Sequence, residues 1–147
     1  MRKLLLFAFL ISGCQYEGTG TGNPMQQSNQ SPPSGAERAR SVICRKLTAC
    51  HTDLRPAVCY DAVWIQSGVA SKLGAQAPID TLKDSDSAES KDTLAFDETV
   101  LNQCENSITA LDCASQTVQD AYQSGASEPF ALLPAMIPSV CGQVYPP

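Results

Sequence analysis

The sequence predicts an all-α fold: a small helical domain of three main helices plus a short C-terminal helix or irregular tail, stapled by three disulfides. Apolar residues recur at steps of three and four in three segments, which is the period of one helix face. No long segment alternates apolar and polar residues, as a half-buried strand would. Six cysteines after residue 34 supply the staples.

The first predicted helix begins after Ser34. Ser34 can cap it while Glu37, three residues later, reaches back to complete a capping box. Its apolar face then consists of Ala36, Ala39, Ile43, Leu47 and Cys50.

The second predicted helix follows a turn at residues 51–53, where Asp53 can act as its cap. Pro56 falls in the first turn, where a missing N–H is harmless, and Gly74 suits the C-terminal cap. The predicted buried stripe is Val58, Ala62, Ile65, Val69 and Leu73. Tyr60 and Trp64 lie four residues apart on this helix, and we interpret them as core or core edge, with a ligand or partner patch as the alternative.

Residues 76–92 show no apolar period and predict a mobile, polar, acidic loop. Asp92 can cap the third helix, which continues to about residue 124 with a break near Asp112. Its main stripe is Leu94, Leu101, Cys104, Ile108, Leu111, Val118 and Tyr122. The tail holds five prolines and has room for one short helix starting near Ser127.

Seven acidic residues crowd one stretch, namely Asp80, Asp84, Asp86, Glu89, Asp92, Asp97 and Glu98. Residues 84–92 resemble the start of a calcium loop, but Glu89 and Ala95 stand where an EF-hand needs Gly and Glu. A solvated loop is therefore our interpretation, and a looser calcium site stays open as an alternative. The loop would suit a basic partner.

The N-terminus has the layout of a secretory signal peptide. Arg2 and Lys3 precede eight apolar residues, 4–11, and two small residues. An eight-residue helix is only about 12 Å long, far short of the roughly 30 Å hydrocarbon core. The segment is therefore predicted not to span a membrane.

The sequence ISGC at residues 11–14 resembles the lipobox of bacterial lipoproteins. The resemblance implies a signal peptide at 1–13, lipid attachment at Cys14 and a membrane bound through that anchor. Gln15 after the cysteine implies sorting to the outer membrane. Residues 14–34 are rich in Gly, Ser, Gln and Pro and predict a flexible tether, spanning roughly 25 Å, to a domain at 35–147.

Six cysteines remain, an even number, which in an exported chain predicts three disulfides. The gaps between them hold 5, 8, 44, 8 and 27 residues, unlike the close pairs of a zinc site. Six cysteines allow fifteen pairings. From their positions we predict Cys50–Cys59, Cys113–Cys141 and Cys44–Cys104.

Composition and motifs exclude several functions. Without Arg2 and Lys3 the chain has eight basic and fifteen acidic residues, a net charge of −7, and no basic patch for nucleic acid. The single histidine, His51, follows Cys50, but Leu47 stands where haem attachment needs a cysteine. We interpret His51 as a surface turn residue and predict no catalytic residue, metal or cofactor.

The segments CRKLTAC (44–50), ALDC (110–113) and PSVC (138–141), together with the lipobox, resemble small, cysteine-containing helical lipoproteins of predatory and social Gram-negative bacteria. This resemblance implies no particular activity. We expect a binding module in the cell envelope whose partner is an envelope protein or polymer. The alternatives are an inhibitor or immunity lipoprotein against a toxin or hydrolase, and an enzyme with a carboxylate site.

Overall fold

Every regular element in residues 32–147, the part of the chain that the computed structural model describes, is a helix. The predicted signal peptide, Cys14 and the tether up to residue 31 lie outside the described residues. The elements are α1 Gly35–Cys50, α2 Pro56–Ile65, α3 Val69–Lys72, α4 Leu82–Glu89, α5 Glu98–Thr109, α6 Gln116–Asp120, α7 Leu133–Met136 and a 3₁₀ helix Ser139–Gln143. The predicted all-α class is confirmed.

Helix α1 is the centre of the domain and contacts α2, α4, α5 and α6. Its buried face matches the predicted stripe except that Cys50, at the helix end, is half-buried. Helix α2 packs against it in the antiparallel direction, because Cys59 near the start of α2 bonds to Cys44 and Trp64 near its end contacts Arg40.

Helix α5 lies on the other side of α1 and runs parallel to it. Arg38, in the first turn of α1, hydrogen-bonds Glu105, and Lys46, one turn before the end of α1, donates to the carbonyl of Thr109 at the end of α5. Parallel packing brings the C-terminal ends of α1 and α5 together. This places a cation beside the negative end of the α5 dipole.

All six cysteines form disulfides, but each of the three predicted pairs is wrong. Antiparallel packing of α2 carries Cys59 back along α1, away from the nearby Cys50 and towards Cys44. Parallel packing of α5 places the loop that follows it beside the end of α1, and the C-terminal tail returns to the middle of α5. The observed bonds are Cys44–Cys59, Cys50–Cys113 and Cys104–Cys141.

The second predicted helix is broken in two. It ends at Ile65, and Gly68 takes a left-handed conformation with φ of 80° before α3 begins. The carboxylate of Asp80 accepts hydrogen bonds from the backbone N–H of Gly68 and from the hydroxyl of Ser67, which fixes the break. The predicted cap at Asp53 is also wrong, because Arg55 occupies that position without a side-chain cap.

The prediction of a loop at 76–92 is wrong, because this segment contains α4. Thr81 caps the helix by accepting from the N–H of Asp84, and Leu82 and Ser85 are buried. A single large apolar residue in an eight-residue helix leaves no periodic stripe in the sequence. Hydrogen bonds that its acidic side chains accept from the start of α1 stabilise the helix instead.

In these contacts a residue of α4 replaces Glu37 in the predicted capping box at the start of α1. Ser34 does cap the helix by accepting from the N–H of Glu37, but the Glu37 side chain is exposed. Glu89 of α4 instead accepts from the N–H groups of Gly35 and Ala36 at 2.7 and 3.0 Å. The hydroxyl of Ser34 donates to Asp86 at 2.6 Å.

The third predicted helix corresponds to α5, which begins later and ends earlier than predicted. Asp97, not Asp92, is its cap, accepting from the N–H of Val100, and the helix ends at Thr109. The tail carries two short elements rather than one, α7 and the 3₁₀ helix, and neither starts near Ser127. Tyr145 is buried, and its N–H donates to the carbonyl of Leu73.

Candidate binding surface

One arginine lies stacked on two aromatic rings where α1 meets α2. The guanidinium carbon of Arg40 is 4.1 Å from the centre of the Trp64 ring and 5.3 Å from that of Tyr60. The hydroxyl of Tyr60 donates to Ser41 at 3.3 Å, which orients the ring. We call Arg40, Tyr60 and Trp64 the stacked-arginine cluster. All three side chains are half-buried, so the cluster lies at the edge of the core.

Arg40 forms no ion pair with any carboxylate of residues 32–147. Its Nε atom is buried and has no hydrogen-bond partner among residues 32–147. Arg38, two residues earlier, is different: both Nε and Nη2 donate to the carboxylate of Glu105, at 3.0 and 2.9 Å. That hydrogen-bonded carboxylate raises the pKa of the Arg38 guanidinium.

Two apolar side chains elsewhere on α2 are also exposed. Ile65 is 63 % exposed and Val58 is 40 % exposed, although both belong to the stripe predicted to be buried. The correction follows from the disulfide, because Cys59 faces α1 and turns Val63 inward with it. Since α2 is apolar on almost every side, its sequence does not indicate which side faces the core.

A groove of about 300 Å³ lies between α1 and α5 on the opposite flank of α1. Its lining consists of Val42, Arg45, Lys46, Ala49 and Thr109. Lys46 is already bound to the carbonyl of Thr109 at 2.9 Å. The lining contains no carboxylate, so the groove does not have the paired acids that the enzyme alternative requires.

Comparisons with known protein families, curated proteins and solved structures found no match. The surface must therefore be interpreted from its own chemistry. No helix within residues 32–147 is long and apolar enough to cross a membrane.

Most acidic residues between 80 and 98 form hydrogen bonds or ion pairs with other residues of the domain. Asp80 and Asp97 hold backbone N–H groups at α3 and α5, Asp84 accepts from the Thr81 hydroxyl, and Glu98 pairs with Arg38. These carboxylates are spread over several helix ends, and no group of three or more metal-ligating side chains occurs among residues 32–147.

His51 is not the surface turn residue that the sequence suggested. It is half-buried, and its Nε2 lies 3.0 Å from the carbonyl oxygen of Val118, a distance at which a protonated Nε2 donates. Its ring meets that of Tyr122 edge-on, with centres 5.3 Å apart. Cys50 beside it is bonded to Cys113 and has no thiol to act as a nucleophile. His51 therefore links the end of α1 to α6 by a hydrogen bond.

The sequence did predict an aromatic pair at Tyr60 and Trp64, with a partner patch as one interpretation. It gave no indication of Arg40, because the cation comes from another helix and meets the rings only through helix packing. The Cys44–Cys59 pairing would have been a signal, but the sequence predicted other partners for both cysteines. In an antiparallel helix pair, this pairing sets Arg40, four residues before Cys44, opposite Trp64, five residues after Cys59.

Proposed function

We propose that this protein is a binding module of the cell envelope, anchored to the outer membrane by lipid at Cys14 and recognising another protein through the stacked-arginine cluster and Ile65. The observation that carries the proposal is the aromatic-stacked Arg40, which has no ion-pair partner within residues 32–147, on a helix pair that also exposes the apolar side chain of Ile65. Trp, Tyr and Arg are the residues most enriched in the energetic centres of protein interfaces.

Rigidity supports a recognition role. Three disulfides link α1 to α2, α1 to the loop after α5, and α5 to the tail. One of them, Cys44–Cys59, joins the two helices that carry the cluster. A surface that is ordered before binding loses less conformational entropy when a partner arrives. The same rigidity would serve an inhibitor, which is a particular kind of binding module.

The binding role is tested by photo-crosslinking in the bacterium that produces the protein. A photo-reactive amino acid replaces Ile65 in one variant and Asn106 in the control. Asn106 is exposed on α5, which packs on the opposite flank of α1. We expect a discrete crosslinked protein from position 65 and none from position 106. Equal crosslinking from both positions, or none from position 65, would refute the proposal.

The anchor is tested separately with Cys14→Ser. We expect this variant to remain an unprocessed precursor without acyl chains, because the thiol that accepts the lipid is missing. Mature-sized Cys14→Ser in the lipid-linked membrane fraction would contradict the lipobox interpretation. Several acyl chains are needed for stable anchoring, since one chain binds only marginally.

A further inference from the structure

Arg40 remains unpaired in a domain rich in carboxylates. Without Arg2, Lys3 and Glu17 the chain has fourteen acidic and eight basic side chains. Even so, Arg40 forms no ion pair with any residue of 32–147, including Asp61 on the same helix as Trp64. Arg38 shows that α1 can bring an arginine to a carboxylate when the fold requires it.

The two aromatic rings restrict the position of the Arg40 guanidinium. At 4.1 Å from the Trp64 ring centre, it makes a cation–π contact that fixes the side chain before any ligand arrives. A free arginine side chain loses rotamer entropy when binding immobilises it. Here the stacking has already immobilised it. Because Nε is buried, Nη1 and Nη2, which form no hydrogen bond within residues 32–147, are the planar pair of donors that an acceptor can reach.

Charge, rather than the shape of the guanidinium, favours one carboxylate over a phosphate group or a polyanion. A single guanidinium neutralises a single negative charge and matches the two oxygens of a carboxylate. The described domain is itself net negative and repels ligands with several uncompensated charges. The Trp64 ring lies against the cation and offers contact to an apolar side chain next to the acid.

We infer that Arg40 receives one carboxylate from the partner protein, an Asp, a Glu or a chain terminus flanked by apolar residues on an otherwise neutral or basic surface. The inference rests on the proposed function, because it names the chemistry recognised by the same surface. A basic partner surface would be attracted by the domain as a whole, and its isolated acid would be selected by Arg40.

The test uses the full chain in non-ionic detergent and a capped tripeptide with glutamate between two leucines. Trp64 is the only tryptophan of the chain, so its fluorescence and its indole N–H resonance report on the cluster alone. We expect a saturable change in the millimolar range with the glutamate peptide. The glutamine peptide should produce at least about ten-fold weaker binding, because a charge-assisted pair is lost.

Two variants with the same change in charge serve as a matched pair. Arg40→Gln should weaken binding of the glutamate peptide by about ten-fold or more, whereas Arg55→Gln, at the exposed cap of α2, should leave it within about two-fold. The Arg40 Nε–H resonance of the unaltered protein gives a second readout that does not depend on folding of a variant. It should shift with the glutamate peptide and not with the glutamine peptide.

Several results would overturn the inference. These are equal responses to the two peptides, equal binding by Arg40→Gln, or saturation by inorganic phosphate or anionic vesicles at a lower concentration than by the glutamate peptide. Crosslinking from position 65 that persists in Arg40→Gln, together with no peptide response, would reject the carboxylate while leaving the proposed binding role intact. If the unaltered protein gives neither a crosslink from position 65 nor a peptide response, both proposals are rejected.

Discussion

Replacing Glu89 should destabilise the whole domain, although this residue lies in a segment that looks like an acidic surface loop. Its carboxylate accepts from the N–H of Gly35, the N–H of Ala36 and the hydroxyl of Tyr145, all within 3.0 Å. It also places a negative charge at the N-terminus of the central helix, where the helix dipole favours one. Glu89→Gln retains the size of the side chain and removes the charge.

The magnitude follows from those contacts. Hydrogen bonds to a charged group contribute about 1.5–3 kcal/mol, roughly twice those of a neutral one. The favourable charge at the helix N-terminus adds about 0.3–1 kcal/mol. The amide also turns an NH₂ group towards donors that need an acceptor. We therefore expect Glu89→Gln to lower the free energy of unfolding by about 2–4 kcal/mol.

Urea denaturation followed by circular dichroism, with the disulfides intact, measures this loss. With a slope of about 1.5 kcal/mol/M, the unfolding midpoint should fall by about 2 M. Asp92→Asn is the matched control, because it removes the same charge from an exposed residue whose left-handed φ of 55° asparagine tolerates. It should change stability by less than about 0.5 kcal/mol. Equal stability of the two variants would refute the reasoning.

Three further predictions test the tail and the disulfides. Burial, and after it the hydrogen bond to Glu89, raises the pKa of Tyr145 above its usual 10.0, so the unfolded chain loses this proton first. The stability that this shift provides is therefore complete below pH 10 and falls by about 1.4 kcal/mol per pH unit above it. Tyr145→Phe should flatten that alkaline loss in urea titrations, and an unchanged slope would reject the assignment. A Cβ on Gly74 would lie 2.6 Å from the carbonyl oxygen of Gly142, whereas one on Gly125 would meet nothing within 4 Å, and both have positive φ. Gly74→Ala should therefore cost at least about 2 kcal/mol more than Gly125→Ala in thermal unfolding, and equal costs would show that the tail moves aside. Non-reducing peptide mapping should recover the pairs Cys44–Cys59, Cys50–Cys113 and Cys104–Cys141, and any other linked pair would contradict the helix packing described above.

Local rules predicted α1 well and α4 not at all, and the difference is physical. Helix α1 has sixteen residues, a Ser34 cap and an apolar face repeated over four turns, so its pattern is visible in the sequence. Helix α4 has eight residues, and its only large apolar residue, Leu82, is at the start. Isolated helices of that length are unstable in water. Its carboxylates reach α1, and no local pattern encodes a partner more than fifty residues away.

The interior side of α2 is a second example. Its sequence is apolar on almost every face, so several stripes are equally consistent with burial, and the one at Val58 and Ile65 was wrong. The half-cystine Cys59 decides the orientation by bonding to Cys44. The aromatic pair of the candidate site could be identified beforehand, because Tyr60 and Trp64 share one helix. Arg40 could not, because it comes from a different helix.

The sequence by itself determined the helical class, the position of α1, the even set of cysteines and the residues that favour a lipid anchor and a tether. Each of these depends on composition or on residues within a few positions of one another. Only the tertiary structure decided the disulfide pairs, the helix at 82–89 and the place of Arg40 over Trp64. These depend on whether neighbouring helices run parallel or antiparallel, and burial of the whole core selects that direction, which no single segment encodes.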